Sequence, residues 1–215
     1  MKPEHKLLET KLLEIRNLLL ELEFLKKDIL MLSDENEEYV EFLVKKSRFL
    51  YRLYLNYMKL ITIDLYKLID QKENYNLYSL INFCKTNISR IDWQREITVA
   101  ELNQLENEIN SVSQHFEPIC LLRNKLYAHN DKNKSSFKYK ITLNDFWHVI
   151  KVFQDVFSKL NIHFDNNQWI FSIQYRKPQE IKNAFKYKKT VELYFEHANE
   201  QTDLDIKKFR KIMLS

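Results

Sequence analysis

No glycine occurs anywhere in the 215 residues. Glycine supplies the positive-φ positions of tight hairpins, bulges and phosphate-cradling loops, so a chain without it is poorly suited to β-rich architecture. A P-loop and a glycine-rich dinucleotide fingerprint are excluded outright. With only three prolines, Pro3, Pro118 and Pro178, helices are rarely interrupted. What remains is a mainly all-α fold of long helices joined by Asn-, Asp- and Lys-containing loops. A hydrophobic fraction of 45% against 30% charged residues is that of a globular chain large enough to bury a core.

The helices can be read in order. Leu8, Leu12, Ile15, Leu19, Leu22 and Ile29 repeat at three- and four-residue intervals, which predicts an amphipathic helix over residues 4–32. Lys26 occupies a seam position between Leu22 and Ile29. That defect favours packing on the chain's own domain over a dedicated coiled coil. Residues 33–36, Ser-Asp-Glu-Asn, supply a start signal for a second helix over 34–69. Its aromatics Phe42, Phe49, Tyr51, Tyr54, Tyr57 and Tyr66 are expected to fill the core. A short helix follows over 78–88. Thr98-Val99-Ala100-Glu101 is a capping box that opens a fourth helix reaching about residue 114. Pro118 sits where a fifth helix can begin, ending near His129, and a lysine-rich loop spans 130–140. A sixth helix opens at Thr142 and reaches about residue 160. Residues 1–165 thus form the helical domain and 166–215 a C-terminal extension. Partial alternation over 169–175 and similar character at 190–195 admit a short hairpin there, with a terminal helix over 203–213.

Charge and cysteines bound the function. A net charge of +4 permits contact with nucleic acid without demanding it. Cys84 and Cys120 lie on apolar stretches without metal-ligand spacing, as free thiols of a reducing cytoplasm do. The histidines His5, His115, His148, His163 and His197 show no ligand spacing, so no metal or other cofactor is expected. Residues 1–11 are charged from the start, unlike a signal peptide. The most apolar long stretch, 51–69, holds Arg52, Lys59, Asp64 and Lys67, which argues against a membrane span.

One segment carries chemistry. Arg123-Asn124 is followed, after four more residues, by His129, then by Asn130 and Asp131. Eight arginines and six histidines make an Arg-to-His spacing of this kind unremarkable by chance, at about 0.7 expected matches. Requiring Asn after the Arg lowers that to about 0.06. Here the sequence resembles the HEPN superfamily, whose hallmark is an Arg, a polar residue and a His four to six residues on. Ala128 before the His and Asp131 two after it are similar to the abortive-infection U-type branch of phage-resistance proteins. So is Leu68-Ile69-Asp70 followed by Ser79-Leu80. The resemblance covers roughly residues 35–160. It implies an up-and-down helical bundle, a two-fold homodimer with two copies of the motif in one cleft, and metal-independent cleavage of tRNA or mRNA in phage defence or as a toxin. An antitoxin or regulatory partner would accompany it.

The residue types suit that chemistry. Histidine titrates near neutral pH and can take or give the protons that 2′-hydroxyl attack requires. Arginine stays charged and offers a planar fork to phosphate oxygens. Asn124 is placed to orient the phosphate or the imidazole, and Asp131 to fix the tautomer of His129. Lys125, Lys132, Lys134, Lys138 and Lys140 would flank the cleft as an RNA-steering rim. Positions six apart on an ideal helix lie about 240° apart around its axis. Either the helix loosens before His129 or a second chain completes the site. Three other readings stay open: a non-catalytic HEPN module that binds nucleotide or protein, a helical scaffold in which His129 is a core residue, and lysines that only solvate a loop.

Overall fold

The computed structural model describes residues 2–34, 40, 44–124, 141–171 and 179–213, of which 179–182, 205–206 and 208–213 are described as backbone only. Seven α-helices are described: α1 Pro3–Ser33, α2 Arg48–Ile69, α3 Leu77–Thr86, α4 Val99–Asn110, α5 Phe116–Leu121, α6 Leu143–Asp165 and α7 Gln179–Met213. Short 3₁₀ turns occur at Ile88–Arg90 and Ser113–His115, and no strand occurs among the described residues. Two compact units emerge, one of Met1–Leu30 with Leu53–Gln174, the other of Met31–Arg52 with Tyr175–Ser215. The fold is the all-α bundle expected of a chain without glycine.

The first unit holds the main core. Leu8, Leu12, Ile15, Leu19, Leu22, Leu25 and Ile29 of α1 are all buried in one cluster with residues of α2 to α6. The seam therefore faces its own domain, as the defect at Lys26 suggested. Lys26 lies 3.6 Å from Glu23, which also accepts from buried Gln154 of α6 at 3.2 Å. An acidic group so deeply placed needs such partners. Opposite α1, helix α6 supplies Phe146, Val149, Ile150, Phe153, Val156, Phe157 and Leu160, nearly all fully buried. Each such side chain stabilises the fold by roughly 1.5–3 kcal/mol relative to leaving it exposed.

The helix starts follow local chemistry. Thr98 and Glu101 cap α4 reciprocally, and Thr142 with Asp145 does the same for α6, satisfying amide donors that no helical carbonyl reaches. Asn76 caps α3, its side chain accepting from Ser79 N at 2.7 Å. Asn166 ends α6 in the left-handed region at φ 63°, a conformation Asn tolerates better than most residues.

Several expectations are corrected. Helix α2 begins at Arg48, not near residue 34, and the Ser47 hydroxyl accepts from Leu50 N at 3.3 Å. The start signal at 33–36 runs into 35–39, outside the described residues. Phe49 and Tyr51 are exposed, at 72% and 52%, rather than core-filling. They lie rotated away from the stripe set by Ile61, Leu65 and Leu68, whereas Tyr54 and Tyr57 lie on it and pack against the core. Phe42 is outside the described residues.

The hairpin reading is also corrected: residues 190–195 are helical, within α7. Neither glycine nor proline interrupts that segment, Lys188 and Glu192 pair at 3.7 Å one turn apart, and the Thr190 hydroxyl bonds back to Lys186 O. An alternating run needs a partner strand to persist; a helix closes its own hydrogen bonds. The terminal helix expected over 203–213 is the last part of this longer one. Residues 169–171 are irregular, with Trp169 O accepting from the Ser158 hydroxyl at 2.8 Å.

Candidate active site

Helix α5 positions the first half of the motif. Phe116 opens it and packs at 5.9 Å between centroids on Phe153 of α6. Pro118 falls in the first turn, where its missing N–H leaves no helical bond unmade. Ile119 is fully buried and Leu122 nearly so. These contacts fix one face of the helix and turn Arg123 away from the core. Regular α geometry ends at Leu121, and Leu122–Asn124 adopt a π turn. Such turns widen the helix locally and recur at functional sites. The helix therefore loosens within the motif, at Arg123 itself.

Arg123 is half-buried and its Cζ lies 4.5 Å from the centre of the Tyr66 ring. Its Nη1 donates to Asn124 Oδ1 at 2.8 Å. A guanidinium at this distance is attracted to the electron-rich face of the ring, which helps to hold its charge in place. Tyr66 is fixed in turn: its hydroxyl donates to Asp70 Oδ2 at 2.6 Å. Asp70 Oδ1 accepts from Lys72 N at 3.1 Å. Tyr66 lies in the last turns of α2 and Asp70 directly follows the helix, four residues on, with its amide still bonded to Tyr66 O.

The electrostatics agree with the geometry. The Tyr66 hydroxyl, followed by the Lys72 amide, holds the Asp70 carboxyl below the ordinary carboxylate range, and the nearby charges of Lys72 and Arg123 add to this. The same hydrogen bond pushes the Tyr66 phenol up, assisted by desolvation. Tyr66 thus keeps its proton while Asp70 stays charged. Burial, then the Asp70 charge, push the Cys120 thiol up, against the pull of Arg123. A protonated, half-buried thiol is a poor nucleophile.

Of the residues expected from the sequence, Arg123 and Asn124 meet one another here. His129, Asp131, Lys125, Lys132, Lys134, Lys138 and Lys140 lie outside the described residues. The sequence places Tyr66 among core aromatics and Asp70 in a turn, and links neither to Arg123. The one local signal was the Tyr-to-Asp spacing of four. Elsewhere His115 Nδ1 lies 3.7 Å from Asp145, and its ring stands edge-on to His148. No group of His, Cys, Asp and Glu suited to a metal ion occurs among the described residues.

Compared with known proteins, residues 7–186 match the family model AbiU2, of the HEPN group. The chain belongs to the AbiU2 family of HEPN proteins. The AbiU2 match is wider than residues 35–160, taking in α1 from residue 7 onward and the start of α7 as well as the whole Arg123 region. Searches of curated proteins and of solved structures found no match. The bundle, with Arg123 and Asn124 just past the end of α5 and the long helix α6 later in the chain, is thus a HEPN-type module of an abortive-infection family. No described helix is long and apolar enough to cross a membrane.

Proposed function

We propose that this AbiU2-family protein is a metal-independent endoribonuclease acting in phage defence or as a toxin. The observation that carries the reading is Arg123, a motif cation held on the Tyr66 ring by a hydroxyl-anchored platform. Cations fixed in advance stabilise developing phosphate charge without reorganising during the reaction. In the reaction a neutral imidazole of His129 takes the proton of the RNA 2′-hydroxyl. The 2′-oxygen attacks the adjacent phosphorus, and the bond from phosphorus to the 5′-oxygen breaks. A protonated imidazole delivers a proton to that leaving oxygen, giving a 2′,3′-cyclic phosphate and a 5′-hydroxyl. Arg123 bears on the non-bridging oxygens throughout. Two motif copies lining one cleft of a two-fold dimer supply both imidazoles, with Asp131 fixing a tautomer and the lysines of 125–140 steering RNA inward. A cognate antitoxin or regulatory protein would hold such an activity in check.

End-labelled RNA incubated with pure protein in EDTA tests this. Arg123→Ala and His129→Ala are each expected to slow cleavage by about 10²–10⁴-fold. Absence of cleavage by the unaltered protein, or rates unchanged in both variants, would reject the nuclease and favour a binding module.

A further inference from the structure

A groove of about 470 Å³ opens between the loop after α2 and the helices α3 and α4. Gln71, Tyr78, Ser79, Asn82, Glu106 and Asn110 line it. Its size falls within the range of small-molecule sites, roughly 300–1,000 Å³. The geometry points to a base-reading subsite: this groove takes a nucleobase of single-stranded RNA, next to the phosphate that Arg123 holds. The inference rests on the nuclease reading.

Three features argue for a base. The lining is dominated by side-chain amides and hydroxyls, each offering donors and acceptors that pair with base edges. Lys85 is paired with Glu106, so the one carboxylate in the wall is compensated and the groove is close to neutral. A phosphate would find no cation there to hold it; an uncharged base would find partners. The donors are also held in place. Tyr78 Oη donates to Asn110 Oδ1 at 2.7 Å, which holds that amide in place. Asn76, in the floor, is fully buried with its carbonyl and amide spent on Ser79 N and Glu73 O.

The groove is joined to the Arg123 platform twice. Gln71 directly follows Asp70, the residue that anchors Tyr66 beneath Arg123. Tyr78 meets edge-on, at 6.5 Å between centroids, Phe116, the first residue of the helix that leads into Arg123. In the proposed complex one nucleotide has its phosphate at Arg123 and its base in this groove. Ser79 in the wall belongs to the Ser79-Leu80 pair.

Octamers of 2′-O-methyl RNA test the inference, because they bind but lack the nucleophile for cleavage. Four fluorescent homopolymers, of A, C, G and U, would be titrated against the full-length protein and its variants. The protein should favour one base by about tenfold. Replacing the exposed Gln71 and Asn82 together by Ala should abolish that preference and leave the other three affinities unchanged. Arg123→Ala should weaken all four alike. Equal affinity of the unaltered protein for all four, or a preference that survives Gln71→Ala with Asn82→Ala, would overturn the subsite. Failure of the nuclease reading is seen separately, as intact ordinary RNA alongside a base preference that depends on the groove.

Discussion

At the scale of single residues, Arg123 owes its placement to groups more than fifty positions earlier in the chain. Tyr66 offers a ring, and Asp70 keeps that ring from turning. Tyr66→Phe keeps the ring and removes the hydroxyl, so the Asp70 carboxyl should rise toward its ordinary value, as NMR titration would read. The hydrogen bond also sets a pH dependence. Folding depresses the Asp70 pKa, so its contribution to stability is complete above the unfolded value of about 3.9 and is lost as pH falls through the lower folded value. Because the carboxylate is well solvated, the contribution is small. Asp70→Asn should lower Tm slightly near about pH 6 and by less as the pH falls toward the lowered folded value; an effect that does not shrink with falling pH would refute the account. Arg123 and Asn124 were legible in the sequence because a short motif carries them. The support from Tyr66 and Asp70 was not, since it depends on how α2 and α5 pack, which no local spacing encodes.

At the scale of elements, legibility followed the strength of the local signal. The six apolar positions read in α1 repeat so regularly that its limits, Pro3 and Ser33, fall within a residue of those expected. The capping box of α4 and the start of α6 at Thr142 were equally plain, because reciprocal side-chain and backbone bonds need only residues three apart. Thr142→Ala should therefore cost about 1 kcal/mol in urea unfolding, and a change within error would show that the cap carries nothing. The start of α2 was misplaced because the Ser-Asp-Glu-Asn at 33–36 resembles a start signal as closely as Ser47 does. Helix α7 was misjudged for a different reason. Thr190, Val191, Tyr194 and Phe195 favour strands by type, yet they sit among lysines and glutamates in an uninterrupted run, where neighbours a turn apart decide.

At the scale of the whole molecule, the absence of glycine and the periodicity of α1 were enough to place the chain among helical bundles. The division into two compact units was not, because α1 and α2 each contribute residues to both. The proposed cleft needs two copies of the motif, so sedimentation at micromolar concentration should give twice the 26.4 kDa of one chain. A strict monomer that still cuts RNA would remove the shared cleft and leave the chemistry to one motif. The chemistry itself has a direct signature in its products. RNA digested by the pure protein in EDTA should yield fragments ending in 2′,3′-cyclic phosphate and beginning with a 5′-hydroxyl. Fragments ending in 3′-hydroxyl with a 5′-phosphate would mean that water, not the 2′-oxygen, attacks, and would contradict the roles given to Arg123 and His129.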